Sequence, residues 1–146
     1  MNLSNDCKEF IALLRSEGVD FLVVGAAALA AHGRPRYTGD IDLWIRCDTE
    51  TSQRMERVLE RFGFGSTGLR ASDFKEPNKV IQLGVAPNRV DILTGLTGLE
   101  FDAAWSTRIE LPLDDQTLPF LDKESLRNNK KATGRPQDIA DLEALQ

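Results

Sequence analysis

Apolar residues near the start of the chain recur at the spacing of one helical face. They stand at i, i+3, i+4 and i+7 within residues 4–17, namely at Cys7, Phe10, Ile11 and Leu14. This period predicts an amphipathic helix whose apolar side faces a core. Ser4 is a favourable N-cap and Gly18 a favourable residue beyond the C-terminus, so both ends of the predicted helix carry boundary signals.

The next segments show strand and helix patterns in turn. The uninterrupted apolar run at 21–24 is typical of a strand that is buried on both faces. Gly25 ends this run, and the alanine-rich stretch at 26–32 predicts a short helix, because alanine has the highest helix propensity. A loop is predicted at 34–39. Residues 41–46 then alternate in polarity, which predicts a second strand with two different faces.

The same two periods predict the remaining elements. A helix is expected over 48–62 with Asp48 as its N-cap, followed by a long polar surface loop over 65–78. A hairpin of strands 80–85 and 89–94 follows, and then a short helix at 98–105. A second hairpin is predicted from strands 108–113 and 117–120, and two terminal helices at 124–133 and 137–145. Strands and helices mix without strict βαβ alternation. The sequence therefore predicts an α/β (α+β) fold, in which a mixed β-sheet is flanked by helices.

Length and composition narrow the class of protein. The 146 residues predict a single domain over 1–146, with the terminal helices of 122–145 packed on its core. Apolar residues make up 41% and charged residues 28%, which argues against a disordered or fibrous chain. The net charge of −5 argues against a general nucleic-acid coat protein. Two cysteines and one histidine exclude a disulfide scaffold and a multi-histidine metal centre.

The first residues give no sign of targeting. They contain acids and lack the apolar region of a signal peptide. No apolar run approaches the roughly 18 residues that are needed to span a bilayer. We expect a cytoplasmic protein with reduced cysteines and no membrane partner.

Gly25 is the first feature that suggests chemistry. It stands between a predicted buried strand and a predicted helix. At such a turn the first N–H groups of the helix are unpaired, and they suit a phosphate group. The alternative is an ordinary strand-to-helix turn without a ligand.

Asp40 and Asp42 form a pair of carboxylates at the start of the second predicted strand. Side chains at i and i+2 of a strand share one face. Two like charges at this separation repel each other unless a cation lies between them. Carboxylate oxygens on a rigid strand are ligands that suit Mg²⁺. The alternative is a solvated strand face with two ordinary acids.

Asp91 lies between Val90 and Ile92 on the predicted strand 89–94. Aspartate is unfavourable inside strands, so the presence of Asp91 at this position needs an explanation. One reason is a role in the same site as the first two carboxylates. The alternative is a sheet-edge acid that is paired with Arg89.

Together these three segments resemble the polymerase β-like nucleotidyltransferase superfamily. Its pattern is a glycine-rich strand–helix turn, two aspartates on a strand and a third acid on a neighbouring strand. More narrowly, FLVVGAAALAAHGRPRYTGDIDLWI is similar to a bacterial group that carries G-G-x-A…H-G-x-x-R-x-T-x-D-I-D and includes AbiEii-type toxins. The tail NKKATGRPQDIADLEAL is similar to that group's K-x-A-x-G-R-x-x-D-x-x-D ending. The resemblance covers residues 20–46, 88–105 and 122–145.

The resemblance implies a role for each acid. Asp40 and Asp42 would hold divalent metal ions, Mg²⁺ in the first place and Mn²⁺ as a substitute. Asp91 would complete the metal site and would orient or deprotonate the acceptor hydroxyl. All three would therefore be both metal ligands and catalytic residues.

The resemblance also implies nucleotide contacts. Gly25 and Ala26 would offer backbone N–H groups to a nucleoside triphosphate, and Lys130 would approach it from the C-terminal helix. Arg36 would reach a phosphate or brace Asp40. Thr38 is a further candidate, with a hydrogen bond to the turn before Asp40 as its alternative role. Ala26 departs from the family's second glycine or serine, so no side-chain hydroxyl is available there.

The implied activity is Mg²⁺-dependent transfer of a nucleoside monophosphate from a nucleoside triphosphate to an acceptor hydroxyl on RNA, protein or a small molecule. The resemblance also points towards the toxin of a bacterial toxin–antitoxin or phage-defence pair, with an antitoxin protein as partner. Two other functions stay open. One is a nucleotide- or partner-binding module without turnover. The other is a metal-dependent phosphoesterase, because clustered aspartates also serve hydrolysis.

Residues 123–135 form a basic run. They carry five basic side chains and one acid, Glu124, which gives a local charge of +4. Such a run predicts either a surface that binds a polyanion or a solvated helix face. Lys130 and Lys131 also lie where cations stabilise the end of a helix. Arg135 and Asp138 are expected to pair and to fix the last turn.

Overall fold

A computed structural model of the chain describes residues 3–33, 40–63, 68–84 and 89–145. Its helices are α1 (Asn5–Ser16), α2 (Gly25–Ala31), α3 (Thr49–Phe62), α4 (Phe101–Ser106), α5 (Lys123–Thr133) and α6 (Pro136–Ala144). Its strands are β1 (Phe21–Val24), β2 (Ile41–Ile45), β3 (Val80–Leu83), β4 (Val90–Leu93), β5 (Ile109–Leu113) and β6 (Gln116–Phe120). Most predicted elements are therefore present, with ends shifted by one to three residues.

The six strands form one mixed sheet in the order β3-β4-β2-β1-β6-β5. Two neighbouring pairs are parallel, β2 with β4 and β1 with β6, and the other three are antiparallel. The predicted mixed sheet flanked by helices is confirmed. Strands β1 and β2 lie at its centre, and this explains why every residue of β1 is buried.

Helix α1 shows how the sequence pattern becomes packing. Its buried residues are the four predicted from the period, and the hydroxyl of Ser4 accepts a hydrogen bond from the Cys7 N–H at 3.1 Å. Phe10 meets Phe62 of α3 edge to face, with 5.4 Å between ring centroids. Full burial of one such side chain contributes about 1.5–3 kcal/mol, so this face holds the helix on the sheet.

One predicted loop contains a core residue. Within 65–78, a 3-10 turn spans Ala71–Phe74, and Phe74 is fully buried. The Ala71 N–H donates to the carboxylate of Glu56 on α3, which ties the turn to that helix. A single apolar residue in a polar stretch has no period, and so the sequence pattern did not reveal this contact.

The C-terminal part follows the prediction closely. β5 and β6 form the second hairpin. The carboxylate of Asp122 accepts from the Ser125 N–H and caps α5. Leu126 of α5 and Leu145 after α6 are buried. No helix within the described ranges is both long enough and apolar enough to cross a lipid bilayer.

Candidate active site

Gly25 joins β1 to α2 directly, because the helix begins at the residue that follows the strand. Its backbone φ is +65°, a conformation that residues with a side chain rarely adopt. A Cβ atom at this position would lie 2.0 Å from Oδ2 of Asp42. The turn therefore needs glycine both for its backbone conformation and for the close approach of Asp42.

Asp42 and Asp91 lie side by side. Strands β2 and β4 are parallel, and their register pairs Asp42 with Asp91. Directly paired residues project to the same side of a sheet, so both carboxylates stand on one face. Asp91 is only 6% exposed. Because β4 lies between β3 and β2, Asp91 is an interior residue and does not stand at the sheet edge.

The environment of Asp42 disfavours its charge. Burial, together with the neighbouring carboxylates of Asp91 and Asp40, raises the pKa of Asp42 to about 6. A hydrogen bond between the carboxyl groups of Asp42 and Asp91 contributes in the same direction. The neighbouring carboxylates therefore repel each other, and a bound cation would reduce this repulsion.

Arg89 contacts this cluster with its guanidinium group. Its Nη2 lies 2.9 Å from Oδ2 of Asp40 and its Nε lies 2.9 Å from Oδ1 of Asp91. Nη2 also donates a hydrogen bond to Oδ2 of Asp91 at 3.2 Å. One guanidinium thus links two of the three carboxylates. The predicted pairing of Asp91 with Arg89 is present, although it occurs inside the sheet.

The donor set of the cluster fits a hard divalent cation. Its ligand atoms are carboxylate oxygens, and Oδ1 of Asp40 is buried without a hydrogen-bond partner among the described residues. Over the described ranges, no three acidic, histidine or cysteine side chains form a group that holds a metal ion as they stand. Metal binding by Asp40, Asp42 and Asp91 therefore stays a prediction.

Lys130 is buried among acids, whereas its predicted contact with a phosphate group needs an accessible ammonium group. It is 8% exposed, and its Nζ lies 3.4 Å from Oδ1 of Asp138 and 3.3 Å from Oδ2 of Asp141. Both aspartates are fully buried. The phosphate contact of Lys130 stays a prediction, and the contacts present are those of a buried ion cluster between α5 and α6.

The predicted pair of Arg135 and Asp138 is present, with Nε of Arg135 2.8 Å from Oδ2 of Asp138. Arg135, assisted by Thr133, holds the pKa of Asp138 far below its usual range. Much of the basic run is therefore neutralised within the protein, since Asp138 and Asp141 lie just beyond it. This favours a structural role for the run over a polyanion-binding patch.

Two predicted nucleotide contacts, Arg36 and Thr38, lie outside the described residues. The sequence pattern predicted Arg89 only as a partner of Asp91, and it did not reveal the contact with Asp40. A signal was available, because Arg89 stands two residues before Asp91 and so shares its strand face. What the sequence did not reveal was the parallel pairing that brings Asp40 next to it.

The sheet face that carries Asp91 continues into an open groove. Leu93, two residues further along β4, and Val80, its partner on β3, both line the groove. Its volume is about 610 Å³. Lys79 and Arg135 also line it, and its lining residues within the described ranges include no acid.

No family model matches the chain, and no curated protein matches it either. Solved structures do match. A Thermotoga maritima protein that is provisionally described as a nucleotidyltransferase superimposes with a TM-score of 0.58 at 22% identity, over 93% of this chain and 87% of that one. An antigenic nucleotidyltransferase-like protein from Paracoccidioides brasiliensis gives a TM-score of 0.53 at 16% identity, over 98% and 77%. These likenesses show a nucleotidyltransferase-like fold, and the narrower AbiEii-type resemblance stays a prediction.

Proposed function

We propose that the protein is a divalent-metal-dependent nucleotidyltransferase. It would transfer a nucleoside monophosphate from a nucleoside triphosphate to an acceptor hydroxyl and release pyrophosphate. The observation that carries this proposal is the position of Asp42, which contacts the Gly25 turn and lies directly beside Asp91. A candidate phosphate contact and an acidic metal site therefore meet at one point of the fold.

The three acids would divide the chemistry between them. Asp40, Asp42 and Asp91 would hold Mg²⁺, or Mn²⁺ in its place, and the bound metal would neutralise charge on the reacting phosphoryl group. Asp91 would also orient the acceptor hydroxyl and accept its proton. The acceptor oxygen forms a bond to the α-phosphorus while the bond from that phosphorus to the bridging oxygen of pyrophosphate breaks.

The nucleotide side of the site rests on the backbone. We assign the N–H groups of Gly25 and Ala26 to the triphosphate, because the turn lies against Asp42. Ala26 has no hydroxyl, so this contact would be weaker than in proteins that carry serine there. Arg36 and Thr38 are proposed as further contacts from the loop before Asp40.

We place the acceptor in the groove beside β3 and β4. The groove shares the sheet face of Asp91, and Leu93 lines it two residues from that acid. Lys79 lies in its wall and no acid lines it among the described residues, which favours an anionic acceptor such as RNA over a neutral one. A toxin role, with an antitoxin protein covering the site, is part of this proposal and rests on the sequence resemblance.

A binding module without turnover is the second candidate. It is favoured by Arg89, whose guanidinium contacts Asp40 and Asp91 and so neutralises two of the three acids without a metal. Such a protein would bind a nucleotide and label nothing. A phosphoesterase is less favoured, because hydrolysis of a diester does not need a triphosphate contact at Gly25.

The decisive experiment supplies four α-labelled nucleoside triphosphates, Mg²⁺ and either total RNA or cell extract. We expect label on one class of acceptor and stoichiometric pyrophosphate release, both abolished in Asp91→Asn. Nucleotide binding without label in any mixture would support the binding module. Release of label only into nucleoside monophosphate would support hydrolysis.

A further inference from the structure

The guanidinium of Arg89 supplies positive charge to the acidic cluster of Asp40, Asp42 and Asp91. It contacts Asp40 through one oxygen and Asp91 through both, at 2.9–3.2 Å. The contact between Nε and Oδ1 of Asp91 is an ion pair without hydrogen-bond geometry. Both oxygens of Asp91 are therefore engaged, but one of the two contacts is poorly aligned.

The position of Arg89 can be explained by the repulsion between the neighbouring carboxylates. Asp40, Asp42 and Asp91 bring three carboxylates together on one side of the sheet, where like charges repel each other. The positive charge of Arg89 offsets part of this repulsion when no other cation is present. A divalent ion would offset more of it, but it must compete for the same oxygens of Asp91 and Asp40.

We propose that Arg89 is the resident counter-ion of the metal-binding carboxylates and that it sets their metal affinity by competition. On this view, the guanidinium leaves Asp91 and Asp40 when a divalent cation enters. The inference rests on the proposed function, because it assumes that the carboxylates bind metal. It assigns a role to a residue that the catalytic proposal does not otherwise use.

Competition has an unusual signature. Removal of the Arg89 charge should weaken the fold without metal, because buried carboxylates then lack a partner. The same change should strengthen metal binding, because the carboxylates no longer have to release a guanidinium first. A residue that only supports the fold, or only orients the metal ligands, would lower stability and leave metal affinity unchanged or weaker.

Arg46 offers a matched control. It also contacts two carboxylates, Asp102 at 2.8 Å and Asp20 at 3.0 Å. Its side chain is 27% exposed, close to the 30% of Arg89. It follows β2 at the end of the strand that lies away from Asp42. Arg46→Met should therefore remove a double ion pair, although one with more exposed carboxylates, without touching the acidic cluster.

The test measures Mn²⁺ binding by electron paramagnetic resonance and thermal unfolding with and without Mn²⁺. For Arg89→Met we expect a Tm below wild type without metal, a dissociation constant for Mn²⁺ about tenfold lower, and a larger rise of Tm on Mn²⁺ addition. Arg46→Met should lower Tm and keep the wild-type Mn²⁺ affinity. Arg89→Lys keeps the charge, so its Mn²⁺ affinity should stay within about threefold of wild type.

Each outcome bears on the inference. If Arg89→Met binds Mn²⁺ no more tightly than wild type, the competition is refuted while the proposed function stands. If no form of the protein binds Mn²⁺, both the inference and the metal-dependent function are refuted. Should Arg89→Met fail to fold, Arg89→Gln and Arg89→Lys decide. Tighter Mn²⁺ binding by Arg89→Gln but not by Arg89→Lys supports competition. Equal Mn²⁺ affinities of the two variants overturn it.

Discussion

The Cα atom of Gly25 and the carboxylate of Asp42 are in contact, so neither residue has room to change without moving the other. An ideal Cβ on Gly25 would stand 2.0 Å from Oδ2 of Asp42, far inside van der Waals contact. The connection between β1 and α2 thereby fixes the position of the acid at the centre of the proposed site.

Gly25→Ala should be much more costly than an alanine at a glycine of similar backbone conformation. Gly134 is the matched control, with a φ of +62° and only one neighbouring atom within 4 Å, at 3.8 Å. We expect Gly134→Ala to lose about 1–2 kcal/mol of unfolding free energy from backbone strain alone. Gly25→Ala should lose about 1–3 kcal/mol more, because Asp42 must shift. Urea denaturation measures both, and equal losses would contradict the contact.

Asp42→Asn should stabilise the metal-free protein at neutral pH. The pKa of Asp42 is raised from 3.8 to about 6, so the folded state holds a proton there that the unfolded state releases. Unfolding free energy should therefore fall as pH rises from about 4 to 6, and the variant should escape this fall.

The expected gain of Asp42→Asn is about 1–3 kcal/mol at pH 7–8 and close to zero at pH 4. Chemical denaturation at several pH values without metal provides the measurement. Asp115→Asn is the control, since that side chain is 68% exposed. A variant less stable than wild type at pH 8 would show that Asp42 is not repelled by Asp40 and Asp91.

Asp91→Asn should separate turnover from nucleotide binding. The substitution keeps the size of the side chain but removes a charge from the proposed metal site and removes the proposed proton acceptor. Loss of a general base alone lowers rates by about 10²–10⁴-fold, and a lost ligand adds to this. Dissociation constants for nucleoside triphosphate, measured by calorimetry, should change little because the Gly25 turn is intact. A parallel loss of binding would mean that Asp91 serves the nucleotide site itself.

Lys130→Met tests whether this lysine is structural or binds phosphate. Its Nζ lies between the buried carboxylates of Asp138 and Asp141. Removing the cation from a buried ion pair costs about 3–5 kcal/mol, and the low end applies here because Asp138 keeps Arg135 and Asp141 keeps the hydrogen bond from Gln137. We expect that loss of stability in denaturation, and no comparable change in Lys131→Met, whose side chain is exposed. Normal stability with weakened nucleotide affinity would restore the phosphate contact that the sequence motif implies.

Lys79→Glu tests the placement of the acceptor. Lys79 is half exposed, and its ion-pair partner Glu76 is exposed as well, so the fold should tolerate the change. If an anionic acceptor occupies the groove, labelling should fall by about tenfold at low salt and the difference should shrink at high salt. Lys123→Glu, which reverses an exposed charge outside the groove, is the control. Equal labelling by both variants would exclude the groove as the binding site of the acceptor.

The fold was largely accessible from sequence because its signals are local. The period of α1, the apolar run of β1 and the caps Ser4 and Asp122 are each encoded within a few residues. Phe74 was missed for the same reason, since its burial depends on α3 and not on its neighbours in the chain. The order of the strands follows from long-range pairing, which no local pattern expresses.

The candidate site was accessible only in part. Alternation placed Asp40 and Asp42 on one face, and the family pattern added Asp91. The contact between Gly25 and Asp42 depends on β1 pairing with β2, and the double contact of Arg89 depends on β2 pairing with β4. For Lys130, the motif suggested a ligand contact, whereas its i+8 and i+11 neighbours supply buried counter-ions through the fold of α5 on α6.

The parallel pairing of β2 with β4 also has a consequence for how activity is acquired during folding. Asp42 and Asp91 are 49 positions apart, and a parallel pair cannot form through a tight turn. The chain between them forms α3 and returns as the hairpin of β3 and β4. Contacts of this sequence separation form late and slowly. A chain that ends before residue 90 therefore carries Asp40 and Asp42 without Asp91, and under the proposed function it should be inactive.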